Sequence, residues 1–403
     1  MELSNQQRIA YDEIGDFLKS GERVYTLAGY AGTGKTTIAN QIAAMSNKET
    51  IFCAFTGKAA LALRKKGCPA ETIHSWLYQP KNKSKQKLYE LEAELTTTID
   101  EARKSVLNKE ITLEKERISK PGFSLNPRDE YKRAGLIIVD EYSMLTVQLY
   151  ADLLATTNAK FLLLGDPGQL PPIGKTADIK PDFFLEEVHR QALDSDILKA
   201  ATFVRENGYL PNNINSEEFC VRNKEDCSWE DYRTADQVLV GHNNSRKTFN
   251  RKFREKLKMI HWEIPSIPVK GDKLICLRNN NKIGIFNGMI GYTMEDTILN
   301  SSDPDIGIIH FTEDESKQPY PLSIYLPRIL NDSVPDWQDA KDRGFEDFDY
   351  GYAITCHKAQ GSEWDNVLVF HENFGKNAEE RKRWLYTAIT RASKKCTIVR
   401  GRK

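Results

Sequence analysis

Residues 29–36 read Gly-Tyr-Ala-Gly-Thr-Gly-Lys-Thr, directly behind an apolar run at 24–28 and ahead of a helical pattern that opens near Thr37. This is GxxxxGK[ST] between a strand and a helix, and it limits the possible folds more than any other stretch of the chain. Glycines at Gly29, Gly32 and Gly34 let the backbone wrap its N–H groups around phosphates at a helix N-terminus. Lys35 is placed to reach the β and γ oxygens, Thr36 offers a hydroxyl to Mg²⁺, and Thr37 is grouped with them as a nucleotide contact. A loop of this kind sits on the carboxyl edge of a parallel sheet.

Two later segments supply what phosphate chemistry needs. The run Leu136-Ile-Ile-Val139 ends in Asp140 and Glu141, and the run at 161–164 ends in Gly165-Asp-Pro-Gly-Gln169. An acid at a strand tip beside the P-loop can hold the metal's water shell, a role that suits Asp140. Glu141 would then orient or deprotonate the attacking water. Gln169, being neutral, can bond both the γ-phosphate and that water without adding charge. Alone, each of these would be an ordinary cap or turn residue.

The continuously apolar runs at 24–28, 51–55, 136–139 and 161–164 imply strands buried on both faces of a parallel sheet. Runs at 237–240, 367–370 and 397–399 imply a second α/β lobe, completed only near the C-terminus. A chain of 403 residues has room for two or three domains. Two stretches interrupt the lobes. In 79–132, Leu88, Leu91, Leu95, Ile99, Ala102 and Val106 recur at steps of three and four, which predicts one amphipathic helix in a protruding arm. In 271–345, short β-like pieces at 273–277, 284–292, 306–311 and 322–325 alternate with turns and predict a small β-barrel.

Lys plus Arg equals Asp plus Glu at 57 each, so polyanion binding has to come from local patches. The seven cysteines lack CxxC or Cys/His metal spacing, which implies reduced thiols in a cytoplasmic protein. Residues 1–20 lack the pattern of a signal peptide, and no apolar run is long enough to span a bilayer, so no membrane role is expected.

The order of these motifs resembles the superfamily 1B DNA helicases, the RecD-like enzymes and Dda-type phage helicases, over nearly the whole chain. Gln7, in Leu3-Ser-Asn-Gln-Gln7, is similar to their adenine-reading glutamine. Phe55-Thr56-Gly-Lys58 is similar to motif Ia, and Thr72-Ile-His74-Ser75 to the next DNA-contact motif. Leu185-Glu-Glu-Val-His-Arg190 resembles motif IV, followed by Asn243, Asn244 and Asn250. Residues 352–363, with Thr355, His357, Lys358, Gly361 and Glu363, resemble motif V, and 385–392, with Arg391, resemble motif VI. The stretch 79–132 departs from the family, being long and helical where relatives often carry a compact hairpin.

The resemblance implies an α/β fold of two RecA-like P-loop NTPase lobes with parallel sheets, 1A (1–78 and 133–182) and 2A (183–270 and 346–403). It adds a helical 1B insertion (79–132) and a small SH3-like β-barrel 2B insertion (271–345). ATP and Mg²⁺ would bind between the lobes, with Arg190 and Arg391 supplying positive charge at the γ-phosphoryl and Gly361 and Glu363 adding nucleotide contacts. Thr56, Lys58, Thr72, His74, Asn243, Thr355, His357 and Lys358 would hold single-stranded DNA. Trp76 or Tyr78 would offer stacking platforms. Movement would run 5′ to 3′ and open duplex junctions. The expected protein is a monomeric motor in a bacterial or phage-infected cell, associated with the nucleoid, serving DNA replication, recombination or repair. A single-stranded DNA-binding protein or replication and recombination proteins would be its partners. The alternatives are a DNA-stimulated ATPase that remodels or loads nucleoprotein, and the motor subunit of a recombination or repair nuclease complex.

Overall fold

The computed structural model describes residues 3–46, 49–65, 67–80, 86–98, 100–119, 123–125, 134–171, 177–187, 194–280, 283–313, 319–330 and 344–401. The chain starts in strict alternation: α1 (Asn5–Lys19), β1 (Val24–Gly29), α2 (Lys35–Met45), β2 (Thr50–Ala54), α3 (Gly57–Lys65) and β3 (Ala70–Thr72). After the short α4 (Ile73–Leu77) come β4 (Tyr78–Pro80), α5 (Gln86–Thr97), α6 (Glu101–Ser119) and β5 (Phe123–Leu125). β6 (Leu136–Val139), β7 (Lys160–Gly165) and β8 (Phe183–Leu185) finish the first lobe. Its sheet runs β3-β2-β6-β7-β1-β8 with every pair parallel. All four residues of β6 are buried, as a strand covered by helices on both faces requires.

The tips of β6, β7 and β1 are therefore neighbours, so the acidic pair, the Gly-Asp-Pro-Gly-Gln loop and the P-loop emerge side by side. β8 lies past residue 182 and still belongs to this sheet, pairing with β1. Three-residue strands such as β3 and β8 carry too few side chains to show a periodicity, and neither was visible as a run.

The second lobe holds β9 (Phe219–Asn223) and β10 (Gln237–Val240), and, after an antiparallel excursion, β17 (Ala353–Thr355), β18 (Trp364–His371) and β19 (Ala392–Arg400). Its order is β17-β10-β18-β19-β9, again all parallel. The excursion comprises β11 (Lys273–Cys276), β12 (Ile290–Thr293), β13 (Ile298–Asn300), β14 (Asp303–Thr312), β15 (Tyr320–Tyr325) and β16 (Phe348–Tyr350) in one antiparallel sheet. The run at 284–292 is mostly turn, because Gly284 and Gly288 take φ of 73° and 86° and only its end enters β12.

The single amphipathic helix expected from residue 88 to 106 is instead two antiparallel helices. Leu88, Leu91, Leu107 and Ile111 form their shared core, with Leu95 against it. Val106 is 44% exposed, and Ile99 lies outside the described residues. The phase is reset between the helices: the Thr96, Thr97 and Thr98 hydroxyls bond back to Ala93 and Glu94 carbonyls, and Asp100 accepts the Ala102 N–H at 2.9 Å as a fresh cap. Arg103 meets Glu94 across the hairpin at 2.7 Å. β4 and β5 pair at its base.

Candidate nucleotide site and nucleic-acid face

β1 delivers Gly29 to the start of the loop, and Gly32 and Gly34 take φ of 79° and 81°. Gly34 caps α2 in the left-handed region, where a side chain is strained, and a Cβ there would also strike the Gln7 amide. Gln7 is 2% exposed. Its Oε1 accepts the Ser4 N–H at 3.0 Å in a capping box, and its Nε2 donates to the Thr33 carbonyl at 2.9 Å. Both ends of this amide thus brace the P-loop against α1. Lys35 Nζ donates to the carbonyls of Gly29 and Tyr30 at 2.7 and 2.9 Å, lying over the loop it would vacate for phosphate.

Thr36 and Asp140 are half-buried oxygen donors, and the Asp140 N–H is fixed to the Cys53 carbonyl at 2.8 Å. One hydroxyl and one carboxylate beside a phosphate loop suit Mg²⁺, which keeps several waters and shares its shell with substrate oxygens. Gln169 is buried and donates to Asp166 at 3.4 Å, while its Oε1 has no partner among the described residues. A buried acceptor left open in this way suits a water held next to the γ-phosphate. The residues present fit a magnesium-bound nucleoside triphosphate.

Glu141 sits in the left-handed region at φ 62°, a conformation that costs a non-glycine residue about 1 kcal/mol or more. Burial and the neighbouring Asp140 push its carboxyl up to about 7, against the pull of Arg391 and Lys35. Arg391 belongs to the second lobe, so its charge crosses the cleft to the proposed base. Arg391 is 7% exposed, and its guanidinium is aimed by the carbonyls of Thr387 and Ser362 and the Thr390 hydroxyl, each at 3.2 Å. Arg190 lies outside the described residues.

Sequence reasoning missed the residue that bridges the two lobes. Tyr386, on the helix Ala378–Ile389, accepts the P-loop N–H of Ala31 at 3.0 Å and donates to Asp166 at 2.7 Å. Burial and Asp166 hold its hydroxyl well above the usual phenol range, so it stays protonated. The Leu170 N–H donates to Thr387 Oγ1 at 2.9 Å, and Gln360 Nε2 donates to the Leu170 carbonyl at 2.7 Å. Arg205 of the second lobe lies 3.4 Å above the ring of Tyr30. Asp166 and Tyr386 both lie within the motif segments at 165–169 and 385–392; for Tyr386, a polar residue flanked by apolar ones in a buried helix was the available signal.

The proposed nucleic-acid contacts all follow carboxyl ends of strands: Thr56 and Lys58 after β2, Thr72 and His74 at β3, Asn243 after β10, and Thr355, His357 and Lys358 at β17. Within each lobe they therefore share one edge. Thr56 and Thr72 spend their hydroxyls on caps, accepting from Ala59 and Ser75 at 3.1 Å. His74 is exposed, 5.6 Å from Phe55 and 6.0 Å from Tyr78. Trp76 is fully buried, so it is core and no platform; Tyr78 is half-buried with its hydroxyl on Asp152. The Lys58 side chain lies outside the described residues. Asn243 is exposed at the start of its helix, and Arg246 Nε donates to it at 3.3 Å. Thr355 is buried, Lys358 exposed, and the His357 ring rests 5.5 Å from Phe374, where burial lowers its pKa. No His, Cys, Asp and Glu cluster able to hold a metal occurs among the described residues.

Gly361 (φ 70°) lies against Thr56 and Ala59 across the cleft, and Glu363 is exposed. Phe286, from the antiparallel sheet's loop, covers Gly57, where a Cβ would collide with it, and the Arg64 guanidinium stands 5.7 Å from the same ring. No helix among the described residues is long and apolar enough to cross a membrane.

The AAA domain family matches residues 2–211, and the UvrD-like helicase C-terminal domain matches residues 350–399. The ATP-dependent RecD2 DNA helicase of Deinococcus radiodurans is 25% identical over 97% of this chain and 48% of its own length. A protein of Sinorhizobium fredii described as "Probable conjugal transfer protein TraA" is 24% identical over 91% of this chain and 30% of its own. The chain thus spans half or less of the curated relatives it matches. Among solved structures, a Pif1 helicase studied for unwinding of forked double-stranded DNA superposes at a TM-score of 0.55 with 16% identity, covering 99% of this chain and 92% of the other. A Pif1 helicase from Bacteroides in complex with ADP-AlF3 and single-stranded DNA gives 0.54 with 15% identity, covering 100% and 93%. With its P-loop and acidic strand tip side by side on one sheet edge, the chain belongs to the AAA domain family, whose model matches residues 2–211.

Proposed function

We propose that this chain is an ATP-dependent DNA helicase that moves along single-stranded DNA, 5′ to 3′, and opens duplex at junctions. The observation that carries the reading is that Tyr386 of the second lobe bonds both the P-loop N–H of Ala31 and Asp166 at the tip of β7, so the nucleotide site is shared between the lobes. Hydrolysis at such a site depends on closure, and closure moves two sheets whose edges bear the nucleic-acid contacts. Lys35 and the loop N–H groups bind the β and γ phosphates, and Thr36 and Asp140 would hold Mg²⁺, which would supply positive charge at the phosphate oxygens. Glu141 takes the water's proton, Gln169 orients that water, and Arg391, with Arg190, stabilises the transition state. Thr56, Lys58, Thr72, His74, Asn243, Thr355, His357 and Lys358 grip the strand, and Gln7, Gly361 and Glu363 complete the nucleotide and interlobe contacts.

In this reading 79–132 is the 1B arm and 271–345 the 2B barrel, and the motor acts as a monomer on the nucleoid beside replication or recombination proteins. Lys35→Ala should retain binding to a labelled oligonucleotide and lose DNA-stimulated ATPase; retained turnover would discredit the site. Duplexes with 5′ or 3′ tails test polarity, and unwinding from 3′ tails alone would overturn the 5′ to 3′ assignment.

A further inference from the structure

On the second lobe, a cavity of about 920 Å³ runs between the helix Asn243–Leu257 and the short helix Trp229–Arg233. No residue assigned to the nucleotide site or to the strand's grip lines it. Its walls are aromatic: Trp229, Tyr232, Phe249 and Phe370 are each half-buried. The Phe249 ring lies 5.0 Å from Phe370 and 5.8 Å from Tyr232, so the rings form a continuous wall. Lys224, Lys252 and Lys256 are exposed at its rim. Nearby carboxylates are engaged elsewhere: Glu255 with Arg251 at 3.7 Å, Asp231 with Arg222 at 2.8 Å, and Glu230 with Arg233. None of the three lysines has an ion-pair partner among the described residues, so a chain of zero net charge carries positive charge at this rim.

The cavity's position identifies its visitor. Lys224 follows the last residue of β9, Asn244 follows β10, and Phe370 is the penultimate residue of β18. One end of the cavity therefore reaches the carboxyl edge of the parallel sheet at Asn244, next to Asn243, and the cavity runs from there along the helix toward Lys252 and Lys256. A polymer with a negative charge and a flat aromatic ring in every unit fits a half-buried aromatic wall rimmed by lysines.

We propose that single-stranded DNA leaving the interlobe channel past Asn243 docks here, stacking a base on the Phe249 and Phe370 wall and placing its phosphates on Lys252 and Lys256. The inference rests on the helicase reading and extends it: the cavity is a secondary strand-holding site outside the channel. Lys252 and Lys256 are one helical turn apart, about 6 Å along the axis, and so can serve successive phosphates.

Fluorescence anisotropy with labelled oligothymidylates of 6 to 20 nucleotides tests it, comparing the wild type with Lys252→Ala/Lys256→Ala, two exposed positions. The double variant should bind the shortest oligonucleotides that occupy the channel as the wild type does, and gain no further affinity from added length. Its log–log salt slope on long oligonucleotides should fall by about 1.4, at about 0.7 per lost phosphate contact on single strands. Photocrosslinking of wild type with 5-iododeoxyuridine oligonucleotides should mark Tyr232, Trp229 or Phe249. Identical length dependence and salt slope in both proteins, with no crosslink in this wall, would overturn the proposal and leave the motor reading intact. Binding of an acidic, aromatic peptide by the cavity with DNA unaffected would also overturn it. Failure of every oligonucleotide to bind the wild type would remove the helicase reading and this inference together.

Discussion

The Tyr386 hydroxyl donates to Asp166 at 2.7 Å while accepting the Ala31 N–H at 3.0 Å, so one buried phenol of the second lobe joins the P-loop to the tip of β7. Any opening of the cleft must break or carry both bonds. Tyr386→Phe leaves the half-buried Ala31 N–H and the buried Asp166 carboxylate without this partner, the carboxylate costing about 1–3 kcal/mol. We expect basal ATPase to change little and its stimulation by single-stranded DNA to fall about tenfold or more, read from steady-state rates with and without oligonucleotide.

Glu141 should give the proposed ATPase its acid limb. Its carboxyl is raised to about 7, chiefly by burial and Asp140, and only the carboxylate can accept a proton from water. kcat/KM for ATP should therefore fall about tenfold per pH unit below about pH 7, since that parameter reports groups in the free enzyme. The stability sign is opposite. A raised carboxyl favours the fold when protonated, and that contribution is lost as pH rises through about 7. Glu141→Gln should consequently raise Tm relative to wild type at pH 8 and leave it unchanged at pH 4, as thermal melts at the two values will show.

Arg391 is aimed by two carbonyls and a hydroxyl, each bonded to a different guanidinium nitrogen. Arg391→Ala should lower kcat about 10³-fold, the scale of an arginine supplied to a phosphoryl group. Arg391→Lys should recover little, because one ammonium cannot keep this three-point geometry and still reach the cleft. Single-turnover hydrolysis measures both.

The arm depends on a small core. Leu107 is 0% exposed between α5 and α6, and Leu107→Ala should destabilise the hairpin by about 2–5 kcal/mol. Hydrogen exchange should then quicken throughout residues 86–119 without quickening in β1, β6 or β7, and ATPase on short oligonucleotides should persist.

What the sequence determined by itself was local: a loop whose glycines and lysine can only cradle phosphate, apolar runs that can only be doubly covered strands, and acids placed one residue past their ends. Such features are written in consecutive residues, so periodicity and motif spacing reveal them. Leu88 to Val106 shows the limit, since its spacing continued across a turn that Asp100 and the preceding threonines impose, and the buried partners became Leu107 and Ile111. Tertiary structure alone decided which groups meet across the cleft. Tyr386 and Ala31 are separated by 355 positions, and nothing in the local pattern around either one specifies the other. Their meeting depends on how two parallel sheets face each other, and that is fixed by packing summed over both lobes.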